Sequence, residues 1–538
     1  MDLFNHYKNL THNHRIAIID WISEIGKHFK LKHGTIQLSF IILDNYLINE
    51  TNKIISMDLQ KISIICLVLA AKSDSLQFFD LSDAEQVCDY MYSLEELEKL
   101  ELCILEKIKY FILRETHWQH IKNIVIKKSL SNDIYIISYY FSHLVVYKPD
   151  YYLVPAKKLA KKIIELATLV YTNPDDIYQL SKKDTIISYL CYLWEEDIIY
   201  GKFKKIKEIF EKLKVRNFLS ESFKKVQYCK DNLDIKKFFQ LDINPREIKI
   251  FTVQEITNCT KIKKLGQGTY GRVDQCILNE YEVALKTSCI IDLDGGIDRS
   301  MAREIDILAS SNHENIIKMH GFYYDQKRGY MYIALELMEC PLSHKIIKPL
   351  SDEIKFSYIK QLIKGVQYLH KNNIMHRDLT IDNVLISKEG ILKICDFGLS
   401  RNFYHSDILY PYNTNVCCPT FRAIELLLGS QKYNSKIDIW STACIIGSIL
   451  IGNKLFTNKT EPELIIEIFN ILGTPTENNL MKMGLKDKEY SIINGIGFKN
   501  LEENYPDITT IIYAMLSYDI EDRLDINEVV YLFDSILD

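Results

Sequence analysis

A multidomain chain, all-α in its first half and α+β in its second, is what the 538 residues predict. Three observations carry this. Segments through the first 232 residues place apolar side chains at helical spacing. A glycine-rich run at 266–273 is followed by YEVALK (281–286), which alternates like a strand instead of opening a helix. At 47% hydrophobic and 25% charged, the chain is globular in composition and long enough for two or three domains.

In order along the first half, HRIAIIDWISEI (14–25) reads as an amphipathic helix carrying Arg15, Asp20 and Trp21. KISIICLVLAAKSD (61–74) is a buried-helix run that closes on Lys72. SLEELEKLELCILEKIKYFIL (93–113) keeps helical spacing throughout and places Glu101 on a partly apolar stretch. YYLVPAKKLAKKIIELA (151–167) is helical again, and helical segments continue to about Asn232. The expected domains are 1–125, 126–232 and 258–538, with a linker of mixed charge and one proline at 233–257. A linker of about 25 residues reaches up to ~80 Å. That is ample for docking within one chain, where such a tether gives an effective concentration of order mM; docking between two chains is the alternative.

The second half carries the chemistry. GQGTYGRV supplies Gly266, Gly268 and Gly271, which let backbone N–H groups approach a triphosphate with no Cβ in the way. Alone, G-x-G-x-x-G fits a dinucleotide fold equally well; the following strand, ending in Lys286, argues against that context. Glu304 lies in the helical stretch RSMAREIDIL. In NIMHRDLTIDNVLISKEGILKICDFGLSR (373–401), Asp378 stands five residues before Asn383, and Asp396 follows 13 later, flanked by Phe397 and Gly398. Phosphoryl transfer needs a carboxylate at the attacking hydroxyl and oxygen ligands for Mg²⁺. This segment supplies both.

Together these motifs resemble the catalytic domain of protein kinases. GQGTYG, DRSMARE (298–304), LLLGSQKYNSKIDIWS (426–441) and ILGTPTE (471–477) resemble the cyclin-dependent kinases in particular, over roughly 259–538. The resemblance implies a bilobal α+β kinase fold that uses ATP and Mg²⁺ on a protein substrate. It implies Asp378 as catalytic base, Lys286 on the α- and β-phosphates with Glu304 as its partner, and Asn383 and Asp396 as metal ligands. Around the adenine it implies Ala284 and Leu385 on either side, Val273 above, Leu335 as gatekeeper, and the backbones of Glu336 and Met338 as hydrogen-bonding groups. Glu425 in FRAIE is expected to pair with Arg523.

The first-half helices, in their order, resemble the first cyclin box, and 151–167 echoes a second, weaker box of the same helical-bundle fold. The chain thus reads as a cyclin fused to its kinase. The resemblance implies Lys72 and Glu101 as interface residues, facing Met301 and Ala302 on the kinase side; an ordinary ion pair within a helical bundle is the alternative. Ile18, Trp21, Glu24 and Gln60 align with a substrate-docking patch, or belong to the core. The implied function is a serine/threonine kinase activated by its own cyclin domain. The alternative is a weak kinase or pseudokinase that binds another kinase or its regulators.

Regulation follows the same resemblance. Thr269 and Tyr270 are inhibitory phosphorylation sites or merely the loop's usual residues. Arg303, Arg377 and Arg401 occupy the positions that would hold an activating phosphate, with Thr414 as candidate and an upstream kinase as its source. Otherwise Arg377 and Arg401 bind backbone carbonyls or a local carboxylate. The chain departs from the family at Thr380, where a lysine usually steadies the γ-phosphate, and at Cys418, where a threonine usually bonds that lysine. VCCPTF (416–421) rebuilds the pocket for the residue after the target.

A net charge of −5 argues against a general nucleic-acid binder. Thirteen cysteines without Cys-x-x-Cys spacing, and no visible secretory signal, point to reduced thiols in a cytoplasmic or nuclear compartment. The longest apolar run, between Lys61 and Lys72, falls short of the ~20 residues that span a bilayer.

Overall fold

The structure, a computed structural model, describes residues 12–50, 54, 56–74, 79–108, 116–147, 154–172, 176–177, 180, 184, 186–187, 190–191, 193, 249–268, 271–289, 299–325, 329–402, 418–430, 433–458, 460–485 and 490–537. The chain divides into two compact units, Met1–Pro245 and Arg246–Asp538.

The first unit is helical where described: α1 (His12–His28), α2 (His33–Asn49), α3 (Ser56–Asp74), α4 (Leu81–Val87), α5 (Leu94–Lys107), α6 (His117–Lys127), α7 (Asn132–Leu144) and α8 (Ala156–Thr172). Local chemistry sets several starts. Ser93 accepts the Glu96 N–H at the head of α5, and Thr116 with Gln119 closes a reciprocal cap on α6. Pro155 stands immediately before α8, where a missing N–H costs nothing. α3 is buried continuously from Ile62 to Ser73 and packs along α2. α1 contributes Ile19, Ile22 and Ile25 to that core. Its Arg15 is also buried, pairing with Asp44 on α2 and donating to Val146 O at 2.9 Å. Of the second repeat expected at 126–232, α7 and α8 are well described, whereas 194–232 lies outside the described residues.

His33, His117 and His143 come together beside Trp118 and Tyr139, with the His33 ring 5.2 Å from His143 and 4.6 Å from Tyr139. Their sequence separation hid this cluster. Burial, aided by the neighbouring imidazoles, holds His33 well below its ordinary value. Burial likewise pushes His117 and His143 down to about 4. The unfolded chain therefore binds protons first, so stability present above pH 6.5 is lost as pH falls toward 4. The melting temperature of the chain should drop progressively below about pH 6.5, where a free imidazole begins to charge. A transition that does not move between about pH 7 and pH 5 would sink this expectation.

The second unit opens with a six-stranded sheet in the order β1-β5-β6-β4-β3-β2. Its strands are β1 (Lys249–Ile250), β2 (Thr260–Gly268), β3 (Gly271–Leu278), β4 (Tyr281–Cys289), β5 (Met319–Asp325) and β6 (Tyr330–Glu336), with helices α9 (Val253–Thr257) and α10 (Arg299–Ser310). Only β1 runs parallel to its neighbour. Below lie two small sheets, β10-β9-β7 and β11-β8, built from β7 (Cys340–Pro341), β8 (Ile374–Met375), β9 (Val384–Ile386), β10 (Leu392–Ile394) and β11 (Arg401–Asn402). Helices α11 (Asp352–Lys371), α12 (Ile424–Leu427), α13 (Lys436–Ile451), α14 (Glu461–Leu472), α15 (Pro506–Met515) and α16 (Ile526–Leu537) lie in this part, with further short helices at Leu342–Lys345, Glu477–Lys482 and Lys499–Asn504. α13 is buried from Ile437 through Leu450, which fits a sequence that is mostly apolar on every face.

Part of the expected linker is not linker. Residues 233–248 lie outside the described residues, but Lys249–Thr257 is built into the second unit. Lys249 and Ile250 pair with Gly321 and Phe322, and Phe251 enters the core with Ile256, Cys276, Leu278 and Leu285. A Cβ on Gly321 would lie 2.2 Å from Lys249 O, so glycine is what lets the strand approach. Phe251→Ala is expected to lower the stability of the second unit by about 3–5 kcal/mol, read as a shifted denaturant midpoint. A midpoint equal to that of the unmodified chain would show the segment to be dispensable.

Candidate active site

The site forms where β3, β4, α10 and the segment 376–398 converge. Alternation along β4 turns Lys286 inward, and strand pairing places it opposite Val273 of β3 and Ile333 of β6. Its Nζ donates to Glu304 Oε1 and Oε2 at 2.6 and 2.8 Å and to Asp396 Oδ1 at 3.1 Å. Burial disfavours the ammonium, but Glu304 and Asp396 outweigh it, and Lys286 stays charged well above its ordinary value. For Asp396, burial is likewise outweighed by Lys286, so its carboxyl lies below the usual range.

The catalytic loop hangs from a buried carboxylate that the sequence reading missed. Asp438 on α13 accepts the backbone N–H of His376 at Oδ2 (2.8 Å) and of Arg377 at Oδ1 (2.9 Å), and His370 Nε2 lies 2.9 Å from Oδ2. The available signal was a lone aspartate in an apolar helix, a residue buried only when paired. Arg377 takes a left-handed backbone (φ 64°), as does Asp396 (φ 65°). Strain of this kind persists only where surrounding bonds over-determine it.

Asp378 accepts from Asn383 Nδ2 at 2.9 Å and from the Cys418 N–H at 3.3 Å. Burial first, and Asp396 after it, push the Asp378 carboxyl above its ordinary value, against the pull of His376, Asn383 and Cys418. Asn383 Nδ2 also donates to Asp378 O at 2.9 Å. With that nitrogen engaged, Oδ1 is the atom this amide can offer a cation. Asp396 keeps 30% of its side chain exposed. One carboxylate and one amide oxygen suit a hard cation that draws further ligands from phosphates and water. Among the glycines, Gly271 sits at φ 137°, where a Cβ would lie 2.2 Å from Thr287 O. A Cβ on Gly266 would meet nothing within 4 Å, leaving room for a ligand there. These residues fit both a triphosphate and Mg²⁺.

Ala284 is buried on β4, while Val273, Glu336, Met338 and Leu385 are half-buried. The Glu336 N–H is given to Lys318 O at 3.0 Å, and its carboxylate pairs with Lys393 at 2.9 Å. Gly268 ends β2, and Thr269, Tyr270 and Thr414 lie outside the described residues. Arg303 and Arg377 grip consecutive carbonyls, Gly398 O at 3.2 Å and Leu399 O at 2.8 Å. Arg401 pairs in strand register with Met375. Glu425 and Arg523 form a buried two-pronged pair, both contacts at 2.8 Å. Lys72 and Glu101 bond each other at 2.6 Å with side chains 4% and 0% exposed. Met301 and Ala302 are buried on α10. On α1, Ile18 and Trp21 are half-buried and Glu24 is exposed, while Gln60 on α3 is half-buried.

A glycine-hairpin sheet above a loop with Asp378, Asn383 and Asp396 around an anchored lysine is the architecture of an ATP-dependent phosphotransferase. Comparison with known families agrees: the family described as protein kinase domain matches residues 259–531, and the cyclin N-terminal domain matches residues 1–112. Among relatives, the putative serine/threonine-protein kinase L670 of Acanthamoeba polyphaga mimivirus is 33% identical over 537 residues, 99% of this chain and 95% of its own. The virus's putative serine/threonine-protein kinase L268 is 33% identical over 99% of both chains. Cyclin-dependent kinase C-3 of Oryza sativa subsp. japonica is 36% identical over 238 residues, 41% of this chain and 71% of its own. The chain belongs to the protein kinase family, as an ATP-dependent serine/threonine kinase carrying an N-terminal cyclin domain. No helix among the described residues is long and apolar enough to cross a membrane. The ten cysteines whose side chains are described are free thiols.

Proposed function

We propose that this kinase is of the cyclin-dependent type and is activated by its own N-terminal cyclin domain. The observation that carries the reading is the closed Lys286–Glu304 pair in a chain that also contains a cyclin domain. Glu304 rides on α10, so the position of one helix decides whether Lys286 keeps its partner. That ion pair is a requirement for kinase turnover. Lys72 and Glu101 are the candidate docking residues of the cyclin domain, and Met301 and Ala302 those of the kinase domain.

In the reaction, the hydroxyl of a substrate serine or threonine is aimed at the γ-phosphorus by its hydrogen bond to Asp378. Its oxygen forms the new P–O bond, its proton passes to the Asp378 carboxylate, and the bond to the β-phosphate oxygen breaks to release ADP. A raised Asp378 pKa suits this base, because proton affinity near the working range improves transfer. Lys286 holds the α- and β-phosphates. Gly266, Gly268 and Gly271 cover them, and Ala284, Val273, Leu385 and the backbones of Glu336 and Met338 receive the adenine. Asn383 and Asp396 hold Mg²⁺, which when bound neutralises charge on the phosphates. Arg303, Arg377 and Arg401 receive an activating phosphate, for which Thr414 is the candidate, and Thr269 and Tyr270 are candidate inhibitory sites.

The test is γ-phosphate transfer by the purified full chain with Mg²⁺ATP and no added cyclin. Transfer is expected. A chain silent alone and active only after a separate cyclin is supplied would overturn activation by its own domain.

A further inference from the structure

Thr380 occupies the loop between the base and the metal ligand, and its hydroxyl is committed. The residue is 4% exposed, and its neighbours Leu379 and Ile381 are 0% and 3% exposed. Thr380 Oγ1 lies 3.3 Å from Asp382 N and 3.2 Å from Asn383 N, accepting from both amides. Thr380 O accepts from the same Asn383 N–H at 3.2 Å. From the other side, Asn383 O accepts the Cys395 N–H at 2.9 Å, one residue before Asp396. The Asn383 side chain is turned by its two bonds to Asp378.

We propose that the Thr380 hydroxyl is the positioning group for Asn383, setting the direction of its Oδ1 and, through Asn383 O and Cys395 N, the spacing to Asp396. The inference rests on the assignment of Asn383 and Asp396 to Mg²⁺ made above. Only a short side chain with an acceptor can do this: a hydroxyl folds back onto amides two and three residues ahead. Lysine carries donors only, and valine or alanine carries nothing polar. At this position the chain therefore has a hydrogen-bond acceptor in place of a cation. Charge on the phosphates falls to Lys286 and the metal, which makes the orientation of Asn383 more consequential.

The experiment uses the full chain, Thr380→Val and Thr380→Ser, with two readouts at varied Mg²⁺. One is γ-phosphate transfer; the other is ATP affinity with and without Mg²⁺, followed by displacement of a fluorescent nucleotide. Thr380→Val should raise the Mg²⁺ needed for half-effect by about 10–100-fold, the usual cost of losing a group that orients a metal ligand. ATP affinity without Mg²⁺ and the melting temperature should hold. Thr380→Ser should return the Mg²⁺ requirement toward that of the parent chain. An unchanged Mg²⁺ requirement in Thr380→Val, or a serine variant as impaired as the valine one, overturns the proposal. If Thr380→Val lowers the melting temperature, Thr380→Ala, which puts no methyl group against the Asp382 and Asn383 amides, takes its place with the same expected results. A parent chain that transfers no phosphate would defeat the functional reading, while the Mg²⁺ dependence of ATP binding would still decide the role of Thr380.

Discussion

Asp378→Asn lowers the turnover of phosphoryl transfer by about 10²–10⁴-fold, the range general-base catalysis supplies. The change replaces one acceptor oxygen with an NH2 donor and removes the negative charge but keeps the side-chain volume. The remaining amide oxygen can still accept from Asn383 Nδ2 or the Cys418 N–H, the two groups that now hold the carboxylate. The fold should therefore survive, with a melting temperature near that of the parent chain. The pH profile gives a second readout. Because burial and Asp396 raise the Asp378 pKa, the acid limb of kcat/KM should sit above the ordinary carboxylate value of 3.8. Activity is lost as pH falls through that raised value, since the base must be ionised to take the proton. In the asparagine variant the limb should vanish with the rate. A variant retaining more than about a tenth of parental turnover would remove Asp378 from the proton transfer.

The second large effect concerns Lys72 and Glu101. They bond each other at 2.6 Å and are almost fully buried. Lys72→Glu or Glu101→Lys alone leaves two like charges in that place, and breaking a buried pair costs about 3–5 kcal/mol. Either single reversal should thus destabilise the helical unit and silence the kinase for that reason alone. The exchange of both, Lys72→Glu with Glu101→Lys, separates folding from docking. It restores the pair, so the melting temperature should recover most of the loss. It also inverts the charges offered to a partner surface, and close charge pairs at interfaces are worth about 2 kcal/mol or more. Phosphoryl transfer should then remain at least roughly tenfold below that of the parent chain. An exchange variant with full stability and full activity would confine the pair to the core of the helical unit.

Much of this molecule is legible in one dimension because its chemistry is local. Asp378 and Asn383 share one loop, and Asp396 follows closely enough that a short β-hairpin (β9-β10) brings it back. The glycines of the 266–273 run and the inward phase of Lys286 follow from strand alternation. The pairing of Glu304 with Lys286 spans 18 positions and was anticipated from motif order. Helical periodicity located α1, α5 and α8, since an apolar stripe at 3.6-residue spacing has few other uses, and α3 was legible as a long apolar run.

Residue order alone settles the inventory: a helical unit ahead of a kinase domain, and the atoms that can accept a proton, hold a cation or face a phosphate. The tertiary structure decided what supports them. Asp438 anchors the catalytic loop across 62 positions, and Arg15 finds Asp44 on a different helix. His33 and His143 meet only because α2 and α7 carry them together. Lys249–Ile250, only two residues long, gave no strand signal and became the sheet's sixth strand because Gly321 leaves an unobstructed edge. Such partners depend on which faces meet when apolar surfaces are buried, and a side chain's own sequence neighbourhood does not encode which distant donor will stand opposite it.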